Sequence, residues 1–140
     1  MALAESKNSR LIQISELESA TLHAALIDRS DVGRLQVSGD DAADLLNRLS
    51  TNNLEHLTPT QGMGTVLTNN EGRIIDLLSV IPLANSLLIL TSPGRQQQVA
   101  DWIEFYTFVE DVTSNDITDD TAMIAIVGPK FAEAVQKALG

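Results

Sequence analysis

The run Val32–Ile81, VGRLQVSGDDAADLLNRLSTNNLEHLTPTQGMGTVLTNNEGRIIDLLSVI, decides the fold. Leu35 and Val37 alternate with Arg34, Gln36 and Ser38, which is the period of a strand with one wet face. Gly39 turns the chain, and Asp40 is suited to cap a helix. Ala42, Leu45, Leu46 and Leu49 then recur at i, i+3, i+4 and i+7, so this helix should lie on a sheet and end near Asn52 or Asn53. Leu54 to Gly62 holds Pro59 and no sustained period, which reads as a loop. Met63 to Thr68 resumes a strand. Asn69-Asn70-Glu71-Gly72 supplies residues that tolerate turn geometry, and Arg73 to Ile81 runs back as a longer, more apolar strand, predicting a hairpin.

On the N-terminal side, Ser15-Glu16-Leu17-Glu18 has the spacing of a capping box. It predicts a helix through Leu22, Ala25 and Leu26 that stops at the polar Asp28–Asp31. On the C-terminal side, Pro82 ends the hairpin, Asn85-Ser86 turns the chain, and Leu87 to Thr91 is a third strand. Ser92-Pro93 should open a helix with Val99, Trp102, Ile103 and Tyr106 on its buried face. Val109, Asp111 and Thr113 suggest a short edge strand, and Met123 to Val127 follows the acidic Asp116–Asp120 loop as another strand. Gly128-Pro129 starts a last helix with Phe131, Val135, Ala138 and Leu139 inward. The pattern predicts an α+β fold: a predominantly antiparallel sheet with packed helices. Residues 1–10 are expected to be a flexible N-terminus and 11–140 one domain, the front part of a longer protein.

At 140 residues, 44% of them hydrophobic, the chain can build one core. Nine basic against nineteen acidic residues leave a net charge of −10, which repels phosphate backbones and anionic headgroups, so neither nucleic acid nor membrane is an expected partner. The absence of cysteine excludes disulfides, thiolate metal sites and a cysteine nucleophile. MALAESKNSR lacks the apolar core of a signal peptide, and a cytoplasmic location is expected.

Chemistry-bearing residues are few. His23 and His56 have no neighbouring acidic or histidine residues at metal-ligand spacing, and both read as structural or solvated. Gly62-Met63-Gly64 lacks the rest of a dinucleotide fingerprint, and Gly128-Pro129-Lys130 lacks the rest of a phosphate loop. Asp76 stands out. In an alternating strand it shares a face with Ile74, Leu78 and Val80, where a carboxylate is expensive unless that face is partly solvated, opens on a cavity or brings an arginine to it.

Asp28-Arg29-Ser30, Val37-Ser38-Gly39-Asp40-Asp41-Ala42, Leu49-Ser50-Thr51-Asn52-Asn53, Thr68-Asn69-Asn70-Glu71-Gly72-Arg73-Ile74-Ile75-Asp76 and Val127-Gly128-Pro129 together resemble the front part of the glycine cleavage T-protein (aminomethyltransferase) and its YgfZ-like folate-binding relatives. The resemblance implies a tetrahydrofolate-binding architecture in which a domain of this kind pairs with further domains around a central pocket. It places Val32, Gly64, Asp76, Leu77 and Ile81 at the ligand and assigns no catalytic residue or metal ligand. Three of these positions depart from the family. Leu77 stands where the second of two paired aspartates serves methylene transfer, and Gly64 and Ile81 stand where tyrosines flank the pteridine. Gly72-Arg73 is closer to the YgfZ-like branch, which is tied to iron–sulfur cluster maintenance. The expected function is therefore a folate-binding-fold domain of one-carbon metabolism or iron–sulfur maintenance that is not catalytic alone. Two alternatives stay open: a ligand-free assembly module, covering half a pocket by homo-oligomerisation, and an aminomethyltransferase fragment.

Overall fold

The alternation of Leu35 and Val37 builds a strand inside a sheet, and that sheet organises most of the protein. The computed structural model describes residues 15–140; the expected flexible N-terminus, residues 1–10, lies outside them. The described residues gather in two units, Ser30–Ala122 and the flanking segments 15–29 and 123–140.

In the larger unit, β2 (Arg34–Ser38), β3 (Met63–Thr68), β4 (Ile74–Pro82), β5 (Leu87–Leu90) and β6 (Thr113–Asp116) form a five-stranded sheet in the order β3-β4-β5-β2-β6. Every pairing is antiparallel. The α+β expectation and the hairpin are borne out. Two helices, α2 (Ala42–Leu49) and α3 (Gln96–Phe105), pack on one face. Leu35, Val37, Leu67, Leu78, Val80 and Ile89 of the strands meet Leu45, Leu46, Val99 and Ile103 of the helices in one core, each 1% exposed or less. Burying such a side chain contributes about 1.5–3 kcal/mol, so slipping any strand by one residue would forfeit several of these terms together.

Local chemistry shifts several boundaries. Asp41, not Asp40, sits at the α2 N-cap and makes no capping bond with its side chain; its carboxylate instead accepts from the Asp111 amide at 2.8 Å. Gly39, at φ +115°, passes so close to the Asp111 carbonyl that a Cβ would stand 1.9 Å from it, which only glycine permits. The predicted loop after α2 contains a single 3-10 turn, Leu54–His56, capped by Asn53 and burying Leu54. Helix α3 begins at Gln96 rather than Pro93, because the Ser92 hydroxyl is used elsewhere and Pro93-Gly94 form a turn. Trp102 and Tyr106 are only half-buried beside Val99 and Ile103. The edge strand β6 forms at residues 113–116, beyond the predicted Val109.

Arg34 was expected on the wet face of β2 and is 4% exposed. Its guanidinium donates to the carbonyls of Val32 at 2.6 Å, Ser30 at 3.3 Å and Thr121 at 2.9 Å, to the Thr118 carbonyl, and to the Thr121 hydroxyl at 2.7 Å. Burial is tolerated because these acceptors satisfy the fork that desolvation leaves without water. The contacts staple the segment that enters this unit to the one that leaves it.

In the smaller unit, residues 15–22 form α1, β1 (Ala25–Asp28) pairs antiparallel with β7 (Ile124–Val127), and α4 spans Phe131–Leu139. Ser15 is already helical, so it does not stand ahead of the helix as a cap. The predicted first helix also ends early, because Ala25, Leu26 and Ile27 give up helical spacing for a ladder with Val127, Ile126 and Ala125. The last helix forms as predicted, but Phe131 and Leu139 are 54% and 84% exposed rather than inward.

Between α3 and β6, the Glu110 carboxylate accepts from the amides of Phe108 at 2.9 Å and Val109 at 3.1 Å and from Arg48 Nη2 at 2.9 Å. The Arg48 hydrogen bond first, and then the two amides, hold the Glu110 carboxyl down to about 2 from its ordinary 4.5. Because the folded value is the lower one, this contribution to stability is complete above about pH 4.5 and is lost as pH falls towards 2.

Two measurements test this architecture. In urea unfolding, Leu78→Ala is expected to cost about 2–5 kcal/mol, whereas Leu77→Ala, one residue away on the opposite face, should stay within about 0.5 kcal/mol. A carboxyl NMR titration should give Glu110 a midpoint near 2, and Glu110→Gln should flatten the acid limb of the stability curve between pH 4.5 and 2.

Candidate functional site

With α2 and α3 on one face of the sheet, the register of the hairpin fixes what the other face presents. Gly64 pairs with Ser79 and Val66 with Leu77, while Ile81 pairs with Leu88 and Ser79 with Leu90. Directly opposed residues share a face, so Gly64, Val66, Leu77, Ser79, Ile81, Leu88 and Leu90 lie together on the side away from the core. Leu77 is 63% exposed, and Val66, Ile81, Leu88 and Leu90 are half-buried. The structure thus brings Gly64, Leu77 and Ile81 onto one open apolar surface spanning adjacent strands.

Gly64 is not required by the backbone there. A Cβ at this position would meet nothing closer than the Leu78 carbonyl oxygen at 3.9 Å. Its lack of a side chain leaves room over the sheet.

Asp76 faces the other way. It is 6% exposed on the core side of β4, with Leu78 and Val80. A register shift between Leu67 and Thr68 opposes Thr68 to Ile74 and leaves Ile75 as the extra residue, so Ile74 turns outward and is 72% exposed. Neither solvent nor an arginine explains the buried carboxylate. Asp76 Oδ2 accepts from the Ser92 amide at 2.8 Å and Oδ1 from the Ser92 hydroxyl at 2.6 Å. The pair ties the middle of the hairpin to the turn that leads into α3. Alternation in the sequence signalled the cost of Asp76; nothing in it named Ser92 as the partner.

Val32 lies just ahead of β2, is 7% exposed, and offers its carbonyl to Arg34. It is not on the ladders that unite Gly64, Leu77 and Ile81. Sequence reasoning missed Arg34, because a surface arginine and a buried one look the same in an alternating strand. Two clefts lie along α3. One of about 560 Å³ is lined by Gly94, Gln97, Gln98, Asp101, Trp102 and Phe105. The other, of about 370 Å³, lies against β6 and includes Ile103, Glu104, Thr107 and Ser114. No helix among the described residues is long and apolar enough to cross a membrane.

The sequence matches the family described as GCVT N-terminal domain over residues 6–140. The chain belongs to the GCVT N-terminal domain family. The resemblance read from its motifs to the front of the T-protein is borne out. A crystal structure of the glycine cleavage system aminomethyltransferase T from Bartonella henselae has the same fold, with a TM-score of 0.80 at 22% identity over 89% of this chain and 34% of that one. A putative chloroplastic transferase of Arabidopsis thaliana is 35% identical over 113 residues, covering 80% of this chain and 26% of that protein. The aminomethyltransferase of Caldanaerobacter subterraneus subsp. tengcongensis is 33% identical over 125 residues, covering 89% and 33%. Sarcosine oxidase subunit alpha of a Corynebacterium species is 32% identical over 117 residues, covering 80% and 12%. The chain therefore spans a third or less of the length of these relatives. In this GCVT-family domain the hairpin supplies both a core carboxylate and an open face, on opposite sides of one strand.

Removing the carboxylate tests the first of these. Asp76→Ala leaves the Ser92 amide and hydroxyl without their acceptor and is expected to cost about 1–3 kcal/mol in denaturant unfolding. Asp76→Asn retains an acceptor oxygen and should recover part of that loss.

Proposed function

We propose that this GCVT-family chain forms one wall of a tetrahydrofolate site and does not transfer the aminomethyl group by itself. The observation supporting the reading is the convergence of Gly64, Leu77 and Ile81 on the face of the sheet away from α2 and α3, the positions at which the family resemblance puts the folate. The chemistry of that face fits part of the ligand. A pteridine is flat, and Val66, Leu77, Ile81 and Leu88 offer it an apolar surface, with open space above Gly64 and the Ser79 hydroxyl available to its polar edge.

The same face does not fit the transfer chemistry. A carboxylate is needed where a proton moves as the methylene group is taken up, and Leu77 provides none. Asp76 cannot serve in its place without a one-residue slip of β4, which would bring Leu77 into the core and expose Leu78 and Val80. The chain is then a binding element whose reaction, in a whole protein, requires groups beyond these residues.

Isothermal titration of tetrahydrofolate into the chain is expected to show saturable binding with a Kd on the order of micromolar. Leu77→Arg, at an exposed position where folding should be unaffected, should weaken it about tenfold or more by placing a solvated charge on the ring-binding surface. An absence of heat at about millimolar ligand would overturn the proposal.

A further inference from the structure

At the C-terminal end of α3 and just beyond it, Phe105, Phe108 and Val109 are 62%, 77% and 93% exposed. Isolated exposed apolar residues are ordinary, but three within five positions form a tip that water does not favour. The tip is not a loose loop. The Glu110 carboxylate fixes the Phe108 and Val109 amides while Arg48 fixes the carboxylate, and Phe105 is packed by Trp102, with ring centroids 6.0 Å apart, and by Tyr106 at 5.1 Å. Ordering costs that a flexible loop meets on binding are therefore already met in the folded chain.

Acidic side chains predominate around the tip: Arg48 and, on the hairpin turn that Asn70 joins to Tyr106, Arg73 are each paired with a glutamate. Asp101 and Glu104 precede it on α3 and Asp111 follows it. Asp41 reaches the Asp111 amide at 2.8 Å, and the Asp40 amide donates to the Asp111 carboxylate at 3.2 Å. Arg48, the cation bonded into this cluster, is committed to Asp44 at 3.1 Å and Glu110 at 2.9 Å. The next cation along α3, Arg95, stands at its opposite end. Beside Phe105 opens the cleft lined by Gln97, Gln98, Asp101 and Trp102, which puts a carboxylate next to an aromatic ring, a suitable setting for an alkylammonium or guanidinium group.

We propose that the Phe105–Phe108–Val109 tip is a docking surface for a protein partner whose segment sets lysine or arginine around an apolar residue. The apolar residue of the partner covers Phe108 and Val109. Its cations meet Asp101, Glu104 and Asp111, and one of them enters the cleft against Trp102 and Phe105. This surface lies on α3 and the turn after it, and does not depend on the folate reading.

Trp102 is the single tryptophan of the chain, so its emission reports occupancy of the cleft directly. The full chain is titrated with a short synthetic peptide of alternating lysine and leucine, and separately with the same peptide carrying glutamate for lysine. The lysine peptide is expected to shift Trp102 emission saturably, to bind about tenfold or more weakly to the Phe108→Ser/Val109→Ser double variant, and to weaken as salt rises from about 50 to about 300 mM. The double variant keeps the net charge and the amides that Glu110 uses, so an unchanged affinity would mean that bulk charge alone attracts the peptide, and the proposal falls. Equal binding of the glutamate peptide overturns it as well. So does self-association of the unmodified chain, seen by light scattering and abolished in the double variant, because the occupant would then be a second copy.

Discussion

Alternation along β4 is the constraint on which the rest of this protein depends. Asp76, Leu78 and Val80 point into the core, and Leu77, Ser79 and Ile81 point away from it. Pairing with β3 and β5 propagates that choice across the sheet, so that Leu67 and Ile89 join the inner set while Val66, Leu88 and Leu90 join the outer one. The inner set is held by α2 and α3, whose apolar stripes cover it. A slip of one residue would exchange the sets and lose several buried side chains at once. The open face is therefore as firmly determined as the core.

Asp76 shows why a buried carboxylate needs its partner before it is given a role. A carboxylate on an apolar strand face is costly in isolation, which makes it a natural suspect for chemistry. Here both its oxygens are taken by Ser92, and the bond anchors the turn before α3. Arg34 does the same for another pair of segments, gathering carbonyls from residues 30–32 and 118–121. These two buried charged residues, Arg34 and Asp76, thus act on the framework. Arg34 opposes Leu90 and so belongs to the face away from α2 and α3, but its guanidinium is wrapped by its acceptors. Gly64, Val66, Leu77, Ser79, Ile81 and Leu88 on that face are neutral.

The two ends of the described chain are built differently from the centre. The β1–β7 pair has only two strands, and such a ribbon offers little area to shelter a helix face. Apolar residues of α4 that the sequence placed inward remain exposed, Leu139 most of all. The helical period of α4 was legible, but its burial was not, because a pattern states which face is apolar and cannot state whether a partner covers it.

The sequence by itself determined the α+β class, the hairpin at Asn69–Gly72, the α2 stripe, the existence of α3 and α4, and the family. Each is encoded locally, by period, turn chemistry or motif order. It also marked Gly64, Leu77 and Ile81, whose common face follows from alternation and hairpin register. Only the tertiary structure decided that Ala25–Asp28 is a strand, because its ladder partner lies about a hundred residues away at Ile124–Val127. It alone buried Arg34 and assigned Ser92 to Asp76, because the acceptors of the one and the donors of the other come from distant segments. A residue's own neighbours set its local geometry; whether its charge is satisfied depends on groups that only folding brings within hydrogen-bond distance.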